Sequence, residues 1–177
     1  MRALVLLAIC LSGVALAASL EGRHALLLET EPPAGWKVVG VPPRTMKISF
    51  FIALRQQNLE QLAQLAQDVS DPLNVKYGQY LNREQILAIV APPKETGERV
   101  MAALGLLSCV HMGDALKCNA PVEAVEQAFQ TQLRFVRHES SHLSLVRQIG
   151  NFSVPASIAA DVEVSKEFAG MRVLRIG

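Results

Sequence analysis

The sequence lacks any concentration of charge of one sign. Its 177 residues include 17 Lys and Arg against 16 Asp and Glu, which gives a formal net charge of +1. Domains that bind nucleic acids present a basic patch or stripe to the phosphates. The even charge balance therefore argues against a nucleic-acid partner.

Motifs of several enzyme classes are also absent. The sequence contains no Gly-x-Ser-x-Gly nucleophile elbow and no phosphate-binding loop. A catalytic site needs a nucleophile, a base and an orienting group in one cleft, and no such set stands out. We expect no catalytic residue, no metal site and no cofactor.

Long apolar stretches are confined to the N-terminus. Arg2, the apolar run Leu4–Leu11 and the small residues Ala15-Leu16-Ala17 form the pattern of a secretory signal peptide, here residues 1–17. The run is short for a membrane span; an uncleaved anchor or a wrongly assigned start is the alternative. After cleavage we expect a soluble protein that is lumenal or secreted.

Cysteine is scarce, with three residues in all. Cys10 leaves with the leader, so Cys109 and Cys118 remain. A two-residue turn at Gly113-Asp114 would place Cys109 opposite Cys118 in a hairpin, close enough for a disulfide. Two free buried thiols are the alternative, and metal binding through the nearby His111 lacks a fourth ligand.

What is present is organised around the stretch from Lys47 to Leu81. Alternating apolar residues in its first part predict a half-buried strand: Met46, Ile48, Phe50, Ile52 and Leu54. Apolar residues at steps of three and four then predict an amphipathic helix: Leu59, Leu62, Leu65 and Val69. We expect this helix to cover the apolar face of the strand.

The remaining elements complete a two-layer fold. Asn82 and Gln85 predict the capping box of a short helix, further helices are predicted over 94–106 and after Pro121, and strands over 132–138 and 143–146. Residues 150–160 are predicted to be loop. The order strand, helices, strand, strand, helix, strand is the ferredoxin-like (split βαβ) order. We therefore predict an α+β fold, an antiparallel sheet with helices on one face.

The segment 18–44 is predicted to be an extended N-terminal arm. It contains several backbone breakers: Pro32, Pro33, Gly35, Gly40, Pro42 and Pro43. Its Trp36, the single Trp of the chain, is expected to anchor the arm on the domain. A packed aromatic ring with no role toward a partner is the alternative.

Several short blocks resemble one family. Residues 53–58 (Ala-Leu-Arg-Gln-Gln-Asn), a helix, Asp71-Pro72 and Tyr77-Gly78-Gln79-Tyr80-Leu81 follow in order. This pattern resembles the activation domain (prodomain) of sedolisin-type serine-carboxyl peptidases, with tripeptidyl peptidase precursors of the lysosome as the nearest likeness. Residues 33–36 and 152–155 extend the resemblance, which spans roughly 32–168.

The resemblance implies a propeptide-type fold over residues 45–160 and a tail or linker over 161–177. The family's catalytic Ser lies in a Ser-Gly-Thr-Ser type motif, and its Glu and Asp are four residues apart on a helix; neither pattern occurs in this chain. The resemblance thus implies a non-catalytic chain from a serine peptidase family associated with proteolysis. In the family, the tail runs through the peptidase cleft, whereas a frayed terminus is the alternative.

Candidate site residues follow partly from this resemblance. The candidates for partner binding are Phe51, Tyr77, Tyr80, Lys166, Arg172 and Arg175. The candidates for pH sensing are His111, His138 and His142. The candidate for glycosylation is Asn151, in the sequon Asn151-Phe152-Ser153. Each has a simpler reading, namely a covering helix over Phe51, tyrosines that close the core's edge, exposed histidines without a role, or an unmodified sequon.

The function implied is that of an activation domain that inhibits a sedolisin-type peptidase domain and assists its folding. The chain would act as a monomer in the secretory pathway, in the lysosomal lumen or after secretion. It would be either a truncated precursor or a stand-alone inhibitor. The alternative is a secreted protein-binding module unrelated to proteolysis.

Overall fold

The computed structural model of the chain describes residues 22–29, 32, 34–106, 108–141 and 143–163. The predicted leader 1–17 lies outside the described residues, as do His142, Lys166, Arg172 and Arg175. The elements in chain order are β1 (Arg23–Glu29), β2 (Trp36–Gly40), β3 (Lys47–Ala53), α1 (Leu59–Ser70), α2 (Arg83–Val90), α3 (Lys94–Leu104), β4 (Cys109–His111), β5 (Ala115–Pro121), α4 (Val122–Phe129), β6 (Gln132–His138) and β7 (Ser144–Pro155), followed by a 3-10 turn over Ala156–Ile158.

The first sheet is antiparallel, with the strand order β3-β5-β4. Alternation places Ile48, Phe50 and Ile52 of β3 in the core, and their neighbours on β5 are buried beside them. Cys109 lies opposite Cys118 and His111 opposite Leu116. The hairpin register predicted from the Gly113-Asp114 turn is therefore confirmed.

The second sheet is also antiparallel and has the order β1-β7-β6-β2. Its strand β7 pairs with β6 up to Ile149 and with β1 from Gly150 onward. The prediction of loop over 150–160 was therefore wrong for residues 150–155. Gly150 has a φ of 91°, a backbone conformation that favours glycine, at the point where the strand changes partner.

The segment predicted to be an arm contributes two strands to this second sheet. β1 pairs with β7, and β2 pairs with β6 so that Trp36 lies opposite His138. The side chain of Arg23 reaches across to β7, where its guanidinium donates to Ser153 Oγ over 2.9 Å and to the Ser153 carbonyl over 2.7 Å. The N-terminal residues are thus tied to the end of β7.

Helices α3 and α4 cover the inner face of the first sheet. Val100 and Leu104 of α3 and Val125 and Phe129 of α4 are buried in the cluster that contains Phe50. Phe50 and Phe129 meet edge to face at 6.0 Å between ring centroids. Buried side chains of the second sheet join the same cluster, namely Leu133, Val146 and Val154, so both sheets share one core.

Helix α1 does not have the role that its apolar stripe suggested. Leu59 is exposed and Val69 is the buried residue of α1, but Val69 lies outside the main core cluster. Since α3 and α4 supply the cover, the expectation that α1 covers β3 was wrong. Residues 58–90 form instead an excursion of two helices, which we call the α1–α2 excursion.

The two ends of the α1–α2 excursion are hydrogen-bonded to each other. The Gln57 amide donates to the Val90 carbonyl over 2.9 Å, and Asn58 Nδ2 donates to the Ile89 carbonyl over 2.9 Å. The predicted capping box of α2 is confirmed, because the Asn82 and Gln85 side chains each accept a backbone N–H of the other residue, both over 2.9 Å.

The described chain is thus an α+β fold with two small antiparallel sheets and four α-helices. The order β3-β5-β4 matches the first, third and second strands of the split βαβ order. The fourth strand, β6, pairs with β2 and β7. No helix among the described residues is long and apolar enough to cross a membrane.

Candidate functional site

The outer face of the first sheet presents a small apolar surface. Phe51 and Val110 both lie opposite Lys117 in the register, and their side chains are 42% and 66% exposed. Beside them Asn119 Nδ2 donates to Ser49 Oγ over 3.0 Å. Phe51 therefore points away from the core, and no described helix buries it. A role in binding a partner remains a prediction for this residue.

A second apolar surface lies in the loop between α1 and α2, residues 71–81. Four large side chains are exposed there, in fractions of 95%, 91%, 54% and 72%: Leu73, Val75, Tyr77 and Tyr80. Leu73 and Val75 are the most exposed large hydrophobic residues of the described chain. The tyrosines do not close an edge of the core, so the simpler reading of this loop is not supported.

The 71–81 loop is held by a set of side-chain and backbone hydrogen bonds. Asp68 is its hub, because its carboxylate accepts from Lys76 Nζ over 2.9 Å, from Gln64 Nε2 over 3.0 Å and from Asn74 Nδ2 over 3.3 Å. Backbone bonds add to these, among them the Gly78 amide to the Val69 carbonyl over 2.9 Å. The loop therefore presents its apolar side chains on a fixed backbone.

The hub carboxylate is held in its charged form. The hydrogen bonds from Lys76 and Gln64 lower the pKa of Asp68, and the charge of Lys76 adds to the effect. A group whose pKa is lowered on folding contributes stability above its unfolded pKa, about 3.9 for Asp, and loses it as the pH falls through the folded value. The loop contacts should thus persist in a mildly acidic compartment.

We expect amide hydrogen exchange to reveal this dependence in the 71–81 loop. The Lys76 and Gly78 amides should stay protected at pH 5 and lose protection only as the pH falls below about 3.9 toward the lowered pKa of Asp68 in the folded chain. Asp68→Asn should lose protection at all these pH values, because the ionised acceptor is gone. Protection that begins to fail near pH 6 in the unsubstituted protein would contradict the assignment to Asp68.

The hairpin of β4 and β5 carries the two cysteines. The Sγ atoms of Cys109 and Cys118 are joined in a disulfide with an S–S distance of 2.02 Å. Cys118 is buried in the core cluster and Cys109 packs against it. The disulfide thus connects the edge strand β4 to the central strand β5.

His111 packs inside the molecule, so it is not the exposed ring of the simpler reading. Its Nδ1 accepts the Gly113 amide over 3.1 Å, and its Nε2 is buried without a hydrogen-bond partner among the described residues. A Cβ atom at Gly97 would lie 2.5 Å from the ring. The ring thus fills the space that the missing side chain of α3 leaves.

His138 lies at the end of β6 and contacts Trp36, the first residue of β2. Its ring meets Trp36 edge to face at 5.0 Å between centroids, and its Nδ1 lies 3.1 Å from Ser140 Oγ. The neighbouring Glu139 is paired with Lys37 over 2.7 Å, and this hydrogen bond and charge lower the pKa of Glu139. Trp36 and His138 together fasten β2 to β6.

Residues 138–142 read His-Glu-Ser-Ser-His, the letters of a zinc-binding motif that requires both histidines on one helical face. Residues 139–141 instead form a turn after β6, and His142 lies outside the described residues. The described residues contain no group of three or more His, Cys, Asp or Glu that could hold a metal ion. The described residues of this pattern therefore do not form the helix that would bring both histidines to one metal ion.

The other candidate residues are placed only in part. The backbone of Asn151 lies in β7 opposite Leu28 of β1, so the sequon is in a strand rather than in the expected loop. His142, Lys166, Arg172 and Arg175 lie outside the described residues. The structure therefore brings Tyr77 and Tyr80 into one loop and places Phe51 on a separate sheet face.

Sequence reasoning missed the strongest features of the 71–81 loop. Leu73, Val75 and Asp68 were not among the predicted site residues. A signal was present, since two aliphatic residues stand between Pro72 and Gly78 in a segment without helical or strand periodicity. Apolar residues at such positions have no core face to join.

Comparisons with known proteins find similarity over about three quarters of the chain. Residues 34–165 match the family profile described as Pro-kumamolisin, activation domain. Tripeptidyl-peptidase SED2 of Arthroderma otae is 31% identical over 140 residues, which cover 75% of this chain and 23% of that protein. Physarolisin of Physarum polycephalum is 32% identical over 132 residues, 72% of this chain and 23% of that protein.

An animal relative is similar over the same share of the chain. Tripeptidyl-peptidase 1 of Canis lupus familiaris is 30% identical over 138 residues, which cover 74% of this chain and 24% of that protein. The chain thus spans about a quarter of the length of the curated relatives that it matches.

Proposed function

Because the chain belongs to the family of Pro-kumamolisin activation domains, we propose that it binds the catalytic domain of a sedolisin-type peptidase, inhibits it and assists its folding. The observation that carries the proposal is the extent of the similarity. The relatives are named as peptidases, and the chain matches only about a quarter of their length, the part that corresponds to the activation domain. On this proposal the chain itself is not catalytic.

The outer face of the first sheet is the proposed contact with the peptidase. Phe51 and Val110 are exposed there on either side of Lys117, and aromatic residues such as Phe51 are enriched at binding interfaces. The predicted tail 161–177, with Lys166, Arg172 and Arg175, would enter the cleft of the enzyme. We also propose that protonation of His111, His138 and His142 in an acidic compartment weakens the complex.

The fold supports the same role. The order β3-β5-β4, with α3 and α4 on one face, provides three strands and both helical crossovers of a ferredoxin-like unit. We infer that residues 45–160 form this propeptide-type unit, to which β1 and β2 are added. The disulfide is typical of proteins of the secretory pathway, which supports a lumenal or secreted location and leaves glycosylation of Asn151 open to test.

We expect the purified, oxidised chain to inhibit an activated tripeptidyl-peptidase at near-neutral pH and to lose inhibition as the pH falls. Phe51→Ser should raise the inhibition constant by roughly tenfold or more, because a central apolar contact is removed. Enzyme assays with the canine and the fungal tripeptidyl-peptidase, each freed of its own activation domain, measure this directly.

Val39→Ser is the matched control, since Val39 is an exposed apolar residue on β2 of the other sheet. It should inhibit as the unsubstituted chain does. If the chain neither binds nor inhibits either of the two enzymes, the proposed function is overturned and a secreted binding module unrelated to proteolysis is favoured.

A further inference from the structure

The α1–α2 excursion carries apolar side chains that the fold does not use. Its helices lie outside the main core cluster, and its ends are pinned to each other at Gln57 and Val90. Its 71–81 loop exposes Leu73 and Val75 almost completely. Exposed apolar residues that form a contiguous patch mark an interaction site, and four of them lie here within residues 73–80.

The backbone of the 71–81 loop is fixed by hydrogen bonds within the chain itself. The Asp68 hub, the Leu73 amide bonded to Asp71 Oδ1 and the Lys76 amide bonded to Asn74 Oδ1, both over 2.9 Å, fix its backbone. A segment ordered before binding loses less conformational entropy when the complex forms. Tyr77 and Tyr80, which follow the two aliphatic residues, are of a type that is enriched in binding hot spots.

The outer sheet face alone is small for a stable complex. β4 has three residues and β3 has seven, so with strands spaced about 4.8 Å apart the face measures roughly 10 by 20 Å, on the order of 200–300 Å². A specific interface buries about 800 Å² on each partner. A second contact surface elsewhere on the molecule would supply part of the difference.

The base of the excursion lies at one end of this sheet. Gln56 Nε2 donates to Asp114 Oδ2 over 2.7 Å, and the Leu54 amide donates to the Asp114 carbonyl over 2.9 Å, at the turn between β4 and β5. Leu87 of α2 lies next to Gly113 in the same turn, where a Cβ atom would come within 3.0 Å of the leucine. The excursion therefore begins where the outer face ends.

We propose that the 71–81 loop is a second docking surface, with Leu73, Val75, Tyr77 and Tyr80 seated in an apolar groove of the sedolisin-type peptidase domain. This inference rests on the proposed function and adds a site to it. The occupant is chosen because the relatives are about four times as long as the matched region, so a large polypeptide accompanies this domain in each of them. The nearby charges nearly cancel, with Lys76 bonded to Asp68, which disfavours an anionic membrane as the occupant.

The test measures binding of the full chain to the activated canine and fungal tripeptidyl-peptidases at pH 6. The variant Leu73→Ser/Val75→Ser should bind roughly tenfold to a hundredfold more weakly, with an unchanged melting temperature, because both side chains are already in water. The matched control is Val39→Ser/Val41→Ser, which removes two exposed valines from β2 and the residue after it. The control should bind as the unsubstituted chain does.

Asp68→Asn tests whether the fixed backbone matters. It keeps every apolar side chain, so weaker binding together with faster exchange of the Lys76 and Gly78 amides would support preorganisation. Affinity equal to that of the unsubstituted chain would overturn that part of the proposal. Two further measurements accompany the binding assay. Sedimentation of the chain alone detects self-association, and flotation with anionic vesicles detects membrane binding.

The outcomes separate the new site from the proposed function. If the unsubstituted chain binds and Leu73→Ser/Val75→Ser binds equally well, the second docking surface is refuted while the proposed function stands. If the chain binds neither enzyme, both are refuted. Loop-dependent self-association or vesicle binding, without binding to a peptidase, would assign the loop to another occupant and overturn the proposal.

Discussion

Phe50→Ala is expected to lower the free energy of unfolding by about 3–5 kcal/mol, the usual cost of emptying a buried phenylalanine site. Phe50 is completely buried on the central part of β3 and contacts Phe129 of α4 edge to face. The cavity would open between the first sheet and its covering helix. Since domains are stable by about 5–15 kcal/mol, a large share of the stability would be lost.

The neighbouring residue offers a matched control for this prediction. Phe51→Ala removes the same number of atoms from the same strand, but its ring is on the outer face and partly in water. We expect it to cost less than about 1 kcal/mol, as surface substitutions usually do. Urea unfolding of both variants decides the matter, and equal losses of stability would contradict the assignment of inner and outer faces.

Removal of the disulfide by Cys109→Ala/Cys118→Ala is expected to cost about 2–3 kcal/mol. The cysteines are separated by nine positions in the chain, and closing a loop of that size lowers the entropy of the unfolded chain by a corresponding amount at 25 °C. The loss should fall mainly on β4, a strand of three residues at the edge of its sheet. Thermal unfolding and amide exchange of β4 measure the effect.

Val110→Ser is the control for the disulfide variant, because it alters an exposed residue of β4 and leaves the bond intact. It should unfold within about 0.5 kcal/mol of the unsubstituted chain. Adding a reductant to the unsubstituted chain should reproduce the stability of the alanine variant. Equal stability of the oxidised and the disulfide-free proteins would refute the prediction.

Local chemistry made much of the fold predictable. The Asn82–Gln85 capping box and the hairpin around Gly113-Asp114 depend on residues within a few positions of each other, and both are confirmed. The role of α1 could not be predicted in this way. Its apolar stripe indicates burial on one side, but only the packing of α3 and α4 decides which helix covers β3.

The strand β7 is a second element that local sequence patterns could not predict in full. The sequence predicts loop over 150–160, a segment that contains the breaker residues Gly150 and Pro155. In the structure the glycine allows the strand to pass from β6 to β1. The pairing with β1 depends on residues at the opposite end of the chain, which no local pattern identifies.

The two candidate surfaces also differ in how much of each could be predicted from the sequence. The outward direction of Phe51 follows from strand alternation, because Phe51 lies between the inward residues Phe50 and Ile52. The loop surface was recognised only through its tyrosines, because the exposure of Leu73 depends on how the backbone is held by Asp68. A hub residue on a preceding helix leaves no periodic signal.

The pairing of β1 with the end of β7 also sets an order for assembly of the chain. Arg23 and Ser153, whose side chains are bonded, are 130 residues apart in the sequence. Contacts between such distant residues form slowly, whereas hairpins and helices form early. On the ribosome β1 and β2 emerge long before β6 and β7, so they have no partner strands until nearly the whole domain has been made. Until then they expose strand edges that favour aggregation, so the nascent chain depends on rapid completion of β6 and β7.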